Sequence, residues 1–424
     1  MGKRGAGSRT NARGRDRSDR TDDEKVAVTE RRSGSQGAVL VVPLAPAPGG
    51  NGLAMRAGLL LDALAADGPV DVVTVPVSGP ADGGEWPARR ARRIVVVAPD
   101  RARTRADVVA ELAEPARRVE LAALEGVPAR ARLAPPAAAR SAVTALAGTD
   151  PALVVVLRSY LAPFGMTLAR ELDAARVVID ADDDDERLLR DQGDEREAEA
   201  HANLARRWLT EADRVLAASP IDADAMSERY GFAVDTLPNA VRRPASVAEP
   251  PGRARLLYVG NLTYGPNIDA LRDLATDVLP RVQATVPYAT VDVVGAHDSR
   301  LADLAGREGV HLAGAVPDVT PWYAGADLVV VPLREGAGTR IKVLEAFAHR
   351  RPVVATPAAV AGLEVIDGRS VHLGASAAEL AAHTVRLLSV PDEARRTVDE
   401  AEAVLAEHYL LDVVVPRARR LLTG

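Results

Sequence analysis

Val331-Pro-Leu-Arg-Glu-Gly-Ala-Gly-Thr-Arg-Ile-Lys-Val-Leu-Glu-Ala-Phe-Ala348 is the stretch that decides the fold. It begins in an apolar run at 328–332, passes through a loop that contains two glycines, and continues as a helix expected from about 340 to 349. A short run that is apolar throughout is typical of a parallel strand covered by helices on both faces. The stretch therefore predicts one strand–loop–helix unit of an α/β domain.

Apolar runs of the same kind occur along the chain and form two series. The expected strands are 38–43, 70–75, 93–97, 153–157 and 176–179 in the first series, and 256–259, 291–294, 328–332 and 353–356 in the second. A linker at 244–252, rich in Pro, separates the two series. We therefore expect two Rossmann-like, doubly wound domains, over 37–245 and 246–405, that face each other across a cleft. Ligands of such sheets bind beyond the carboxyl ends of the strands, which places the chemistry in that cleft.

Composition excludes several classes of function. The chain has 424 residues, a formal net charge of −6 and no cysteine, so disulfides and thiolate metal sites are excluded and no nucleic acid partner is expected. Its apolar runs are shorter than the roughly 20 residues of a membrane helix, so at most peripheral membrane contact is expected. Residues 1–36 are rich in Gly, Ser, Arg and Asp, which predicts a disordered tail. These features predict a soluble, cytoplasmic protein.

The start of the helix in the opening stretch departs from the usual pattern of helix capping. Arg340 and Lys342 fall in its first turn, where the helix dipole disfavours cations by about 0.3–1 kcal/mol each. The glutamate of a capping box is missing there. Gly336 and Gly338 allow backbone N–H groups to approach a ligand, and Thr339 is the expected cap. Together these groups would hold a diphosphate.

Lys342 and Glu345 are the strongest candidate ligand-binding residues. Lysine otherwise occurs only at positions 3 and 25, and arginine is the usual basic residue, so the ammonium at 342 indicates a functional need. The alternative is a residual lysine on a helix surface. Glu345 lies one turn further along the same face. It is interpreted as a ligand of the ribose hydroxyls of a nucleotide, and its alternative is an intrahelical ion pair with Lys342.

Several segments, in a fixed order, carry a family resemblance. In the C-terminal half they are Leu257-Tyr-Val-Gly-Asn-Leu-Thr-Tyr-Gly-Pro-Asn-Ile-Asp-Ala270, Val293-Val-Gly295, Gly314-Ala-Val-Pro-Asp318, Ala326-Asp-Leu-Val-Val-Val-Pro332 and 336–348. Weaker ones precede them: Gly49-Gly-Asn-Gly52, Val178-Ile-Asp-Ala-Asp-Asp183, Ala212-Asp-Arg-Val-Leu-Ala-Ala-Ser219 and Leu237-Pro-Asn-Ala-Val241. Over about residues 253–390 the chain resembles the family 4 retaining glycosyltransferases (glycosyl transferases group 1).

The resemblance implies the GT-B fold and a retaining hexosyltransferase, which moves a sugar from a nucleoside-diphosphate sugar to an acceptor. Arg340, Lys342 and Glu345 are the candidate catalytic residues, and the resemblance implies that Glu345 contacts the ribose. The implied donor-binding residues are Gly260, Asn261, Gly295, Ala315, Val316, Gly336, Gly338 and Thr339. The implied acceptor side contains Gly49, Gly50 and Gly52. Arg158, on the same side, is expected to point toward the cleft and to bind an anionic acceptor or a donor phosphate. The last helix, within 406–424, is expected to cross back to the N-terminal domain.

The chain also departs from the family pattern. Ala337 stands where the family has the first of two glutamates, eight positions before Glu345, and the loop at Asn261 lacks the usual arginine and lysine. We expect Arg340 and Lys342 to replace those cations. Two alternatives therefore stay open, namely a non-catalytic nucleotide-sugar binding subunit and a nucleotide-sugar epimerase of the same fold.

The expected partners are a nucleotide-sugar donor and an acceptor that is an unknown sugar, a lipid-linked molecule or a small molecule. No cofactor and no metal are expected. The acidic run at 180–186 suggests a metal site, because hard cations bind clustered carboxylates. However, the run follows a strand and precedes a helix, where the helix dipole favours acids. A structural or acceptor-facing role is therefore expected.

Overall fold

The structure is a computed structural model that describes residues 26–30, 37–98, 126–335 and 340–424. Within these residues the chain forms one sheet of eight strands and one of six. Alternate residues of a central strand pack in different cores: Val39 and Val41 in one, Leu40 and Val42 in the other. A strand buried on both faces requires a run that is apolar throughout, and the predicted α/β architecture with two doubly wound domains is confirmed.

The N-terminal sheet has the strand order β1-β4-β3-β2-β5-β6-β7-β8. Its strands are β1 Val26–Glu30, β2 Gly37–Val42, β3 Val70–Thr74, β4 Arg93–Val97, β5 Pro151–Leu157, β6 Arg176–Asp182, β7 Arg214–Ala217 and β8 Val234–Thr236. All neighbouring pairs from β4 to β8 are parallel, and β1 alone in this sheet pairs antiparallel with its neighbour.

Strand β1 corrects one part of the predicted disordered tail. Val26 pairs with Val97 and Glu30 with Arg93, so residues 26–30 form the edge of the N-terminal sheet. The reason is local composition, because Val26-Ala-Val-Thr-Glu30 has β-branched residues at three of its positions and lacks the glycine and serine of the segments around it. The remainder of the predicted tail, 1–25 and 31–36, lies outside the described residues.

The C-terminal sheet has the order β11-β10-β9-β12-β13-β14, and every pair is parallel. Its strands are β9 Arg255–Val259, β10 Thr290–Val294, β11 Val310–Gly314, β12 Leu328–Val331, β13 Val353–Ala355 and β14 His372–Leu373. The strand order reverses direction between β9 and β12, which are neighbours in the sheet but not in sequence. A crevice at such a reversal is the usual ligand site of an open α/β sheet.

Helices connect these strands. In the N-terminal domain they are α1 Gly52–Ala65, α2 Glu85–Ala88, α3 Ala129–Leu133, α4 Ala139–Ala145, α5 Ala162–Glu171, α6 Asp185–Asp191, α7 Glu195–Trp208 and α8 Pro220–Tyr230. Those that follow are α9 Gly265–Asp273, α10 Leu279–Gln283, α11 Thr320–Gly325, α12 Ile341–Ala348, α13 Ala377–Ser389, α14 Pro391–His408 and α15 Leu411–Thr423. Short 3₁₀ segments are Pro136–Ala138, Ser159–Leu161, Leu209–Glu211, Ser299–Leu301 and Pro357–Val360, and a π-helical turn at Leu274–Val278 joins α9 to α10.

The last helix packs on the N-terminal domain although it follows the C-terminal domain in sequence. Val414, Ala418 and Leu422 of α15 belong to the same core as the apolar face of α1. Arg176 Nη1 donates a hydrogen bond to the carbonyl of Gly424 at 2.7 Å. The chain therefore passes between the domains near residue 410 as well as at the linker.

Candidate functional site

Lys342 lies in the first turn of α12, and its ammonium is held by two neutral groups. It donates hydrogen bonds to Asn267 Oδ1 at 2.8 Å and to the Tyr258 hydroxyl at 3.2 Å. It also lies 4.5 Å from the centroid of the Tyr258 ring, a cation–π contact. Among the described residues no ion pair joins Lys342 to Glu345, so the alternative of an intrahelical ion pair is not what the structure shows.

Two glycines let the ends of neighbouring strands approach each other beside this ammonium. A Cβ at Gly260 would lie 3.0 Å from Lys342 Nζ. Gly295 has a φ of 150°, and a Cβ there would lie 1.7 Å from the Gly260 carbonyl oxygen. No side chain fits at position 295, which explains the glycine at the end of β10. Asn261, the next residue after Gly260, is exposed.

Arg340 immediately precedes α12 and is buried. Its Nη2 donates a hydrogen bond to the carbonyl of Ala358 at 3.1 Å. Burial lowers its pKa, while the carboxylates of Asp183 and Asp222 in the N-terminal domain act in the opposite direction. The guanidinium of the C-terminal domain therefore faces acids across the cleft.

Glu345 lies one turn beyond Lys342 and is oriented by an aromatic pair. The Tyr323 hydroxyl donates a hydrogen bond to Glu345 Oε2 at 3.1 Å. The Tyr323 ring stacks on His349 with ring centroids 4.7 Å apart and an interplanar angle of 4°. This stacking fixes the direction from which the hydroxyl approaches, and so fixes the carboxylate.

Lys342 and Glu345 have shifted pKa values of opposite sense. Burial, together with the charge of Arg340, lowers the pKa of Lys342 to about 7, and the charge of Glu345 opposes this shift. Burial raises the pKa of Glu345 to about 7, against the hydrogen bond from Tyr323 and the charge of Lys342. Two groups that change charge near neutrality on one helix face are characteristic of a ligand site.

The other donor-side residues predicted from sequence lie at the same edge of the sheet where they are described. The Gly295 N–H donates to the Gly314 carbonyl at 2.9 Å, so the ends of β10 and β11 are adjacent. Ala315 and Val316 follow directly, Ala315 exposed and Val316 half-buried. The predicted phosphate loop, Gly336, Gly338 and Thr339, lies outside the described residues.

The predicted acceptor-side glycines face this helix from the N-terminal domain. A Cβ at Gly52 would lie 3.3 Å from Ile341 Cγ1, the first residue of α12. Gly49 and Gly50 are exposed in the preceding loop, where Gly50 has a φ of 89°. The Asn51 side chain accepts a hydrogen bond from the Leu53 N–H at 2.8 Å and caps α1. The loop is therefore anchored at the start of α1 and touches the donor side.

Arg158 lies near the cleft but is already bound by acids. Its guanidinium donates to Asp182 at 3.0 Å, to Asp183 at 2.5 Å, and to Asp185. The residue is buried and has a φ of 77°, a region that non-glycine residues rarely occupy. The three carboxylates disfavour a further anion beside this guanidinium and tie it to the acidic run. The predicted role of Arg158 in binding an anionic acceptor or a donor phosphate stays a prediction.

The acidic run at 180–186 is built into the N-terminal sheet by arginines. Arg56 of α1 is fully buried and pairs with both oxygens of Asp180 at 2.7 and 2.8 Å. Arg229 pairs with Asp184 at 2.8 Å. Burial, with the charge of Asp183, raises the pKa of Asp182 to about 7, although Arg56 lies 3.3 Å from one of its oxygens. These ion pairs tie the run to the N-terminal domain, and its expected structural or acceptor-facing role stays a prediction.

The residues that hold others in place were not predicted from the sequence. Arg56 could have been found, because it is a lone charge in the otherwise apolar face of α1. Asn267 and Tyr258 stand inside a quoted family segment but carry no local sign of their contact with Lys342. That contact joins positions 75 and 84 residues apart, so spacing along the chain does not reveal it.

The two walls of the cleft touch directly. Gln192 Nε2 in the N-terminal domain donates a hydrogen bond to the Tyr264 hydroxyl of the C-terminal domain at 3.0 Å. In the part of the chain that the structure describes, no cluster of His, Cys, Asp and Glu has a metal-binding arrangement. No described helix has the length and apolarity needed to span a membrane.

Comparison with known proteins agrees with this architecture. Residues 253–390 match the family model of glycosyl transferases group 1. The crystal structure of Alr3699/HepE from Anabaena in complex with UDP and glucose is similar, with a TM-score of 0.65 and 15% identity over 91% of this chain and 99% of that chain. Sucrose-phosphate synthase from Thermosynechococcus elongatus gives a TM-score of 0.66 and 16% identity over 91% of this chain and 98% of that one.

A glycosyltransferase from Rickettsia africae is also similar, with a TM-score of 0.56 and 13% identity over 92% of this chain and 99% of that chain. No curated protein sequence matches the chain significantly. At these identities the structural likeness shows the fold. The predicted GT-B fold and the predicted resemblance to glycosyl transferases group 1 are thus both confirmed.

Proposed function

We propose that this chain, whose residues 253–390 match glycosyl transferases group 1, transfers a hexose from a nucleoside-diphosphate sugar to an acceptor with retention of anomeric configuration. One observation carries the proposal. The ammonium of Lys342 and the guanidinium of Arg340 lie together at the start of α12, in the cleft, and Lys342 is held by neutral partners. Two cations without a carboxylate to neutralise Lys342 are the environment that a diphosphate requires.

The helix start strengthens this preference for an anion. The first N–H groups of a helix have no partner inside the helix and carry a partial positive charge. Arg340 is the residue before the first turn of α12, and Lys342 belongs to that turn. Cations at this end are unfavourable in an empty helix and become favourable once an anion lies between them and the N–H groups. A diphosphate at the start of α12 would interact favourably with Arg340, with Lys342 and with the free N–H groups of the first turn.

We propose that the donor is a UDP-sugar. The support comes from the similar Anabaena protein, whose crystal structures are complexes with UDP and glucose and with UDP-glucose. Glu345 is the proposed ligand of the ribose, since Tyr323 bonds one of its oxygens and fixes the carboxylate. Gly260, Asn261, Gly295, Ala315 and Val316 are the proposed donor-side backbone contacts, together with the loop at 336–339.

The groups available at this site support the proposal of retention. In a front-face transfer the leaving phosphate accepts the proton of the acceptor hydroxyl, so the protein supplies positioning and charge stabilisation. Arg340 and Lys342 would stabilise the negative charge that develops on the leaving diphosphate. We propose that they do this without a metal or another cofactor, in the cytoplasm, with the acceptor against Gly49, Gly50 and Gly52.

Product analysis tests the proposal. The protein is incubated with UDP-glucose and other UDP-hexoses, a panel of sugar, lipid-linked and small-molecule acceptors, and EDTA. UDP release and the anomeric proton coupling of the product are measured by NMR. We expect an α-linked product from an α-linked donor. We also expect the rate to fall at least about tenfold in Arg340→Met, because the cation that stabilises the negative charge of the transition state is lost.

The control and the contrary outcomes are specific. Arg420→Met, at an exposed position of α15, should leave the rate unchanged. A β-linked product would contradict retention. Interconversion of UDP-hexoses without an acceptor would indicate an epimerase, and UDP-hexose binding without turnover would indicate a binding subunit.

A further inference from the structure

We propose that Asn267 is the positioning residue of the phosphate site, which holds the Lys342 ammonium uncompensated and ties it to the loop that begins at Asn261. The inference depends on the proposed function for the identity of the ligand. The contacts alone support the part that concerns how Asn267 positions Lys342. The positioning role and the proposed function can therefore fail separately.

The Asn267 carboxamide makes contacts in two directions. Its Oδ1 accepts from Lys342 Nζ at 2.8 Å, and its Nδ2 donates to the carbonyl of Asn261 at 2.8 Å. A carboxamide offers both an acceptor and a donor on one rigid plane. Asn267 is therefore able to fix the ammonium and the strand-end loop relative to each other, and α9 places it there because it lies in the first turn of that helix.

Tyr258 closes the arrangement. Its hydroxyl donates to Asn267 Oδ1 at 3.1 Å and accepts from Lys342 Nζ at 3.2 Å. Since its single proton is directed to Asn267, a lone pair remains for the ammonium. The three groups form a closed triangle that orients the ammonium through two neutral acceptors.

Neutrality is the important property of these acceptors. A carboxylate at the same distance would also hold the lysine, but it would cancel the charge and repel a diphosphate. Asparagine has nearly the same shape as aspartate and lacks the charge. The charged groups that face Lys342 are Arg340 and Glu345, both on its own helix segment, while β9 and α9 contribute Tyr258 and Asn267. An aspartate at 267 would therefore be the first carboxylate in direct contact with the ammonium.

The chain offers a direct measurement, because Lys3 and Lys25 are its only other lysines. With the full chain labelled at lysine ¹³Cε, three signals are titrated by NMR. Unperturbed lysine titrates near pH 10.4, whereas burial lowers the pKa of Lys342 to about 7. We expect Asn267→Asp to raise the Lys342 midpoint by about 1–3 pH units, the usual effect of an adjacent opposite charge. The matched control is Asn203→Asp on the exposed face of α7, which should leave the midpoint unchanged.

A second variant keeps the test decisive if Asn267→Asp fails to fold. Tyr258→Phe keeps the ring and removes one acceptor, so the Lys342 midpoint should fall below that of the unmodified chain. A Lys342 midpoint that is unmoved by every folded variant of Asn267 and Tyr258 overturns the inference.

Calorimetric titration with UDP supplies the functional readout. UDP affinity of the unmodified chain should decline above pH 7 as Lys342 loses its proton. Asn267→Asp should weaken UDP binding at least about tenfold at pH 7, because the aspartate neutralises the ammonium. Equal UDP affinity in Asn267→Asp and Asn203→Asp would contradict the positioning role. If the unmodified chain binds no UDP while the midpoint still shifts in Asn267→Asp, the proposed function fails and the hold on Lys342 stands.

Discussion

At the scale of single residues, burial of the Glu345 carboxyl lowers the stability of the protein. Its carboxyl is half-buried, and burial raises its pKa from 4.5 to about 7. A carboxyl whose folded-state pKa exceeds its unfolded-state value binds more protons when folded. Stability therefore falls as the pH rises through that interval, and the cost is absent below about pH 4.5 and complete above about pH 7.

Glu345→Gln should therefore stabilise the free protein in a pH-dependent way. We expect a gain of about 1 kcal/mol in the free energy of unfolding at pH 8, reduced from the full shift because the group is partly solvated, and no gain at pH 4.5. Urea denaturation at both values measures it, with Glu228→Gln at an exposed position as control. The same change at both pH values would show that the carboxylate is not destabilised by burial.

Residue identity alone could predict some residues of the candidate site. Lys342 was recognisable because lysine is nearly absent from the chain and stands at a helix start that disfavours cations. Asn267 was not recognisable, since asparagine in the first turn of a helix breaks no local pattern and its partner lies on another helix. The ion pairs of Arg158 were not predicted, because the acids that enclose it come from the end of the next strand, β6, and the start of α6.

At the scale of elements, the buried Arg56 joins α1 to the sheet. Besides Asp180 it bonds the Leu237 carbonyl at 3.0 Å and Asn239 Oδ1 at 3.1 Å. It thereby fixes α1, and with it the glycine loop at 49–52, against the end of β6. Its removal leaves a carboxylate buried without its cation.

Arg56→Met should destabilise the protein by about 3–5 kcal/mol in urea denaturation, the usual cost of breaking a buried ion pair. Asp180→Asn in the same chain should recover part of that loss, because the uncompensated charge is then removed. Arg89→Met, in an exposed pair with Glu85, should change stability by less than about 0.5 kcal/mol. Equal losses of stability in Arg56→Met and Arg89→Met would contradict the proposal that Arg56 holds α1 against the sheet.

Elements were predictable wherever apolar runs are continuous. The helix expected at 340–349 is observed as Ile341–Ala348, and the strand expected at 291–294 as Thr290–Val294. Strand β11 was missed, because Val310-His-Leu-Ala-Gly314 is short, mostly half-buried and ends in glycine. Those features are equally typical of a loop. Strand β1 was missed because it is an edge strand within a polar segment.

At the scale of the whole molecule, the two domains bring opposite charges to one cleft. Acids at the end of β6 face Arg340 and the start of α12, and Gly52 and Tyr264 are points where the walls touch. The α15 helix fastens the far end of the chain to the N-terminal domain. Arg340 and Lys342, at the start of α12, are the cations that we propose for binding a donor phosphate in this cleft.

Calorimetric titration of UDP, with GDP, ADP and dTDP alongside, tests that central claim most directly. The unmodified chain and Lys342→Met are compared near pH 7, with Lys25→Met as the control at another lysine. We predict that UDP binds the unmodified chain and the control equally, and that Lys342→Met weakens it by about 10–100-fold, the loss of one charged hydrogen bond. Unchanged affinity in Lys342→Met, or no binding of any of the four nucleotides to the unmodified chain, would contradict the account.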